Sequence, residues 1–328
     1  MSRRKRTAPK QATGRWPHRL AWVLACAVFS LIWVGGLVTT YSAGMAVPDW
    51  PSTYGYWIYL PWRLWVAGWD LFLEHGHRML ALAVGLMTIA FAVAVWKTDA
   101  RRWMRWLGVA AVAGVVLQGT IGGLRVLGDE ILLAKVHGCT APLFFAFCAA
   151  LVILTSPRWQ RPEGPRTHAG ARWLHVLSLG TTVGVYVLIV LGAQLRHLPP
   201  DADPSWAVLW VWLKLIAVAV VTIGVVWLLV FVMRRGRDEP TIVRRAKLFA
   251  GLLLLQLLLG AGTWITNYGF PAWFRDYFWT FNYAPVQEGP LQVWITTAHA
   301  AIGSLNLVVA LSLTLWSRRL WRSPGKAQ

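Results

Sequence analysis

The sequence predicts an all-α integral membrane protein of eight transmembrane helices, arranged as two pseudo-twofold-related four-helix bundles. Composition comes first: 57% of the 328 residues are hydrophobic, only 14% are charged and 23 are Trp, a balance no ordinary soluble domain carries. Eight apolar runs, each long enough to cross a hydrocarbon core of about 30 Å, supply the second observation. The third is a weak internal repeat relating the first four runs to the last four. The net charge of +19 does not point to nucleic acid, because the cations cluster between apolar runs rather than along one face. Topology accounts for them.

The first run, near residues 20–42, follows Arg3, Arg4, Lys5 and Arg6 but is too long for a signal peptide and lacks a small-residue cleavage site, so it reads as the first span. Residues 1–19 read as a basic arm lying near anionic lipid. Further spans are expected near residues 76–96, 107–125, 131–155, 173–195, 206–233, 248–266 and 291–316. Basic residues concentrate in the arm, in the segments 97–106, 156–172 and 234–247, and in a tail over 317–328. The intervening loops instead carry Asp49, Asp70, Glu74, Asp129, Glu130, Asp201, Asp203, Asp276 and Glu288. The positive-inside rule therefore puts both termini in the cytoplasm. Cys26, Cys139 and Cys148 all fall within apolar runs, so neither a disulfide framework nor a Cys-x-x-Cys metal site is expected.

The repeat follows from numbering the spans. Gly35-Gly36-Leu37-Val38 ends the first and leads to Pro48-Asp49-Trp50, while Leu191-Gly192-Ala193-Gln194 ends the fifth and leads to Pro204-Ser205-Trp206. Leu117-Gln118-Gly119 and Gly122-Gly123 in the third span correspond to Leu255-Gln256, Gly260 and Gly262 in the seventh. Two halves, 20–155 and 173–316, are thus expected on either side of a cytoplasmic linker over 156–172, related by an axis along the membrane normal.

Chemistry concentrates on the even-numbered spans, which enter the membrane from the acid-leaning side. Glu74 and His77 share one helix face, continued by the small residues Ala81, Val84 and Gly85, so a flat macrocycle can approach the backbone. His137 and His299 lie about two turns into the fourth and eighth spans. Ionisable groups at such depth read as functional. His77 and His137 form a facing pair of the kind that holds haem iron within a helix bundle, and His299 is a candidate ligand in the second half. His18, His75, His168 and His175 read as solvated or interfacial, and His197 as intermediate at the start of an outer loop. Glu74 reads as a proton relay or ring-orienting group, or else as the partner of Arg78 or Lys135. Aligning the sixth span on the second by small residues sets Trp212 opposite His77 and Leu209 opposite Glu74. The second half then holds haem through one imidazole, recruits His197, or is a scaffold.

These motifs, Gly35-Gly36-Leu37-Val38, the loop Gly44-Met45-Ala46-Val47-Pro48-Asp49-Trp50-Pro51, Glu74-x-x-His77-Arg78 and Val136-His137-Gly138, resemble the membrane haem A synthases across all eight spans. The resemblance implies oxidation of the C8 methyl group of haem O to the formyl group of haem A for cytochrome oxidase assembly. It implies haem O as substrate in the first half, at His77 and His137 with Glu74 beside them, and a cofactor haem b in the second half, at His299. Haem O synthase, an electron donor and membrane lipid are the implied partners, and a bacterial plasma membrane the implied location. Some relatives carry a cysteine pair in the first outer loop, whereas residues 42–73 here contain none. The other functional classes are a non-catalytic haem carrier or assembly factor and a bis-histidine electron-transfer cytochrome.

Overall fold

The computed structural model describes residues 15–57, 60–161, 163–199, 202–277 and 283–324. Among them eight helices are long and apolar enough to cross a membrane. In chain order the helices are α1 (Arg15–Thr40), α2 (Trp62–Trp65), α3 (Trp69–Thr98), α4 (Arg102–Gly128), α5 (Ile131–Thr155), α6 (Ala171–Arg196), α7 (Pro204–Arg235), α8 (Pro240–Tyr268), α9 (Ala272–Tyr277) and α10 (Pro290–Leu320). Of these, α2 and α9 are short loop helices. The eight long ones run 25 to 32 residues, or about 38 to 48 Å at 1.5 Å per residue, so their ends project beyond the hydrocarbon core.

Most spans begin earlier or end later than the apolar runs predict, because polar residues still serve as first and last turns. Asp203 caps α7 by accepting the Ser205 amide at 2.8 Å, and Glu239 caps α8 by accepting the Thr241 amide, each with Pro as the first helical residue. Left-handed residues close two C-termini, Asp129 at φ 46° after α4 and Gly269 at φ 78° after α8. The basic arm is shorter than expected. From Arg15 onward the chain is already helix, with Pro17 tolerated in the first turn and His18 hydrogen-bonded to Thr155 at 3.2 Å; residues 1–14 of the expected arm lie outside the described residues.

Helices α1, α3, α4 and α5 pack in a ring, each touching the next, and α6, α7, α8 and α10 form a second ring. The first encloses Leu24, Val28, Val84, Phe91, Phe145 and Leu151, and the second Leu174, Val225, Leu228, Phe249 and Leu313. Helix α10 joins them by also packing on α1 and α5. In lipid, apolar burial drives no helix association, so small residues and interhelical hydrogen bonds carry the contacts. Thr182 meets Thr314 at 2.9 Å and Thr40 meets Thr297 at 3.3 Å. The linker is docked: β1 (Arg166–Thr167) pairs in parallel with β2 (Trp321–Arg322), His168 stacks on Trp321, and Arg319 donates to the carbonyls of Trp159, Arg161 and Glu163.

Candidate haem site

Each of the three span histidines rests on a glycine of the adjoining helix. A Cβ on Gly35 of α1 would lie 2.9 Å from His77 Cε1, one on Gly122 of α4 would lie 2.9 Å from His137 Cε1, and one on Gly260 of α8 would lie 3.1 Å from His299 Cε1. No larger residue leaves room for the rings as they stand. From the helix starts, the three histidines sit about 9 to 14 Å along α5, α3 and α10, in agreement with their common depth in the sequence reading.

The rings are oriented by a repeated device. The Gln118 amide nitrogen lies 3.1 Å from His137 Nδ1 and donates to the His137 carbonyl at 3.0 Å, while Thr140 donates to Gln118 Oε1 at 2.7 Å. Gln256 repeats the first two contacts with His299 at the same distances. Gln118 engages His137 at Nδ1 and so leaves its Nε2 for a metal, whereas Gln256 lies 3.1 Å from His299 Nδ1 and 3.4 Å from its Nε2. Gln118 and Gln256 were visible in the repeat, but their part in fixing the imidazoles required the structure. His77 differs: its Nδ1 is buried without a hydrogen-bond partner, which costs roughly 1–3 kcal/mol unless a ligand is met there. His77 and His137 lie close enough to act on one another electrostatically, as does Arg125 on both rings and Arg78 on His77.

Glu74 is buried rather than set at the water boundary. Its Oε1 accepts from Arg78 at 2.8 Å and its Oε2 from the Val47 amide at 3.0 Å. Arg78 also donates to the carbonyls of Val47, Asp49 and Ser52. The carboxylate thus ties the segment 47–52 onto α3. Trp50 in that segment presses on Gly123 of α4, and Arg125 donates to the Gly44 carbonyl at 2.9 Å. The motif Gly44-Met45-Ala46-Val47-Pro48-Asp49-Trp50-Pro51 is therefore a cap anchored to both helices beside the His77–His137 pair. Asp49 is pushed up by burial, but hydrogen bonds from Gly55, Ser52 and Tyr54 outweigh this and hold it below its ordinary value of 3.8.

Several sequence expectations change. His75 is buried, hydrogen-bonded to Thr53 at 3.1 Å and edge-on to Trp65, not solvated; the segment after α1 folds over it. His175 lies 3.2 Å from the Ser317 carbonyl and packs between helices. His197 sits by Gly138 of α5, beside His137, rather than turning into the second half. Burial, then Arg196, Arg125 and Lys135, push it down to about 4. Trp212 does not face the helix bundle. It is 61% exposed on the outer surface of α7, whereas Lys214, two residues on, brings Nζ to 3.5 Å from where a Gly192 Cβ would lie.

The residues present fit a haem in the first half: two imidazoles on facing helices, glycines that bring helix backbones close, an orphaned buried ring nitrogen, and cations suited to propionates. Arg125, Arg196 and Lys214 make no ion pair among the described residues. Arg196 instead donates to the Gly36 carbonyl and to Thr40 of α1, linking the halves. The second half repeats part of the fit with His299, Gln256 and Gly260.

The family described as cytochrome oxidase assembly protein matches residues 68–200, from the start of α3 through α6. The chain is 24% identical over 330 residues to "Heme A synthase" of Geobacillus thermodenitrificans, covering 94% of each chain. It is 27% identical over 184 residues to "Heme A synthase" of Symbiobacterium thermophilum, covering 53% of this chain and 56% of that one. A shorter stretch, 34% identical over 103 residues, resembles 21% of "Protoheme IX farnesyltransferase" of Halobacterium salinarum. With motifs in both halves and similarity running nearly end to end, the chain is similar to the haem A synthases.

Proposed function

We propose that this protein is a haem A synthase-like oxidoreductase that converts the C8 methyl group of haem O to the formyl group of haem A. The observation that carries the reading is the His77–His137 pair, with each ring set on a glycine of the next helix and the pair capped by the segment 44–51. In this reading His77 and His137 hold the substrate iron between α3 and α5, and Gln118 fixes the His137 ring. Arg125, which makes no ion pair among the described residues, offsets propionate charge, and the apolar lipid face leaves the farnesyl tail in the membrane. Glu74 is a positioning residue, because both of its oxygens are already engaged.

The second half would hold haem b at His299. When bound, that group supplies a redox-active iron. The chain itself contributes the ring orientation set by Gln256, exclusion of water by α8 and α10, and the cations Lys214 and Arg196 near the ring. The similarity to a protoheme farnesyltransferase segment supports haem O synthase as a partner, and an external electron donor completes the set. The cation distribution supports cytoplasmic termini in a bacterial plasma membrane.

Mass analysis of haems extracted from haem O-producing cells, with and without this protein, tests the proposal. Haem A appearing only with the protein is the expected result. Haem O left unconverted while the protein retains bound haem would favour the carrier reading, which the missing second-half histidine also favours.

A further inference from the structure

We infer that Lys214 is the axial ligand opposite His299 to a haem iron in the second half. The inference rests on the reading of this chain as a haem protein and deepens it at the place where the two halves differ.

The internal repeat makes the comparison. In the first half α1 presents Gly35 to His77 of α3, and α4 presents Gln118 and Gly122 to His137 of α5. In the second half α8 presents Gln256 and Gly260 to His299 of α10, with the same spacing of four residues between Gln and Gly. Near the corresponding end of α6 stands Gly192, one position along from the counterpart of Gly35, and Lys214 Nζ of α7 lies 3.5 Å from where its Cβ would be. Lys214 is thus the second-half side chain set on the end of α6 much as His77 is set on the end of α1.

Lys214 is the lone cation within the apolar run 206–233, about 15 Å along α7 from its start. Cations near a membrane helix end usually turn outward to the interface. This one is turned onto Gly192 and makes no ion pair among the described residues, as expected of a group that meets a ligand. Once deprotonated, the amine offers a nitrogen lone pair, and its four-carbon stem reaches at least as far from the backbone as imidazole Nε2. Coordination forms one iron–nitrogen bond and releases the ammonium proton to water, with no change in oxidation state. Trp212 offers no such lone pair and faces outward.

The test uses the full chain in detergent, loaded with haem b, read by haem-to-protein ratio and by low-temperature electron paramagnetic resonance. The parent should bind two haems, both low-spin. Lys214→Arg keeps the charge but removes the available lone pair, and should convert one of the two signals to high-spin while the other persists. Lys214→His should keep two low-spin haems but shift the altered signal to a bis-imidazole one, and this gain stands even if the Arg variant fails to fold. Unchanged spectra in Lys214→Arg would overturn the inference and leave Lys214 as a counter-charge. A single haem in the parent, lost in His77→Ala, would overturn it while the first-half reading stands. No bound haem in the parent would overturn both.

Discussion

At the residue scale, the account turns on close approach. Gly35 and Gly122 let imidazoles lie where any Cβ would collide, so Gly35→Ala or Gly122→Ala should displace a ring at a cost of about 1–3 kcal/mol. The expected outcome is roughly a tenfold or greater loss of haem affinity, measured by haem titration, with the fold retained by circular dichroism. Trp212→Ala should leave haem content unchanged, since that side chain faces outward. Asp49 provides a pH test. Its folded-state value lies below 3.8, so its contribution to stability is fully present above the unfolded value and is lost as pH falls through the lower folded one. Limited proteolysis of the segment 44–56 should accordingly stay slow at pH 5 and accelerate only below about pH 4, whereas Asp49→Asn should be cleaved readily at both. The sequence singled out His77, His137 and His299 because a charge-capable ring in an apolar run is conspicuous, and the structure sets each of them on a glycine of the next helix. Lys214 carries the same signal as a lone cation in the apolar run 206–233, but its approach to Gly192 depends on helix rotation that the sequence does not determine.

At the element scale, the segment after α1 is held by one buried pair. Removing Glu74 leaves Arg78 without its carboxylate and frees the Val47 amide, so Glu74→Ala should destabilise the fold by about 3 kcal/mol. Thermal unfolding in detergent would register this. The conservative Glu74→Gln should recover part of it through the amide contact alone. Helix boundaries were legible to within a turn or two wherever hydropathy changed sharply, as at Ile131 and Thr155 of α5. They were missed where a cap extended the helix into polar sequence, as at Glu239 and Pro240 before α8. Side-chain destinations across helices, such as Arg196 to Gly36 or His197 to Gly138, depend on rotation about each axis, which a hydropathy profile with weak amphipathicity does not determine.

At the scale of the whole molecule, eight spans and a basic-to-acidic alternation of loops predict that both chain ends share one side. Reporter fusions after Gln328 and within residues 197–203 should report opposite compartments, and agreement between them would contradict the eight-span topology. The two rings of helices meet through α10, which packs against both, so a haem in one half has a continuous protein path to the other. The central claim is narrower: the first half is a haem site built by His77 and His137. The most direct test is the optical spectrum of the purified, haem-loaded chain beside His77→Ala, His137→Ala and His175→Ala. The account predicts a low-spin six-coordinate component that is weakened or turned high-spin in each of the first two variants and preserved in the third. Spectra and haem content unchanged in both His77→Ala and His137→Ala would contradict it.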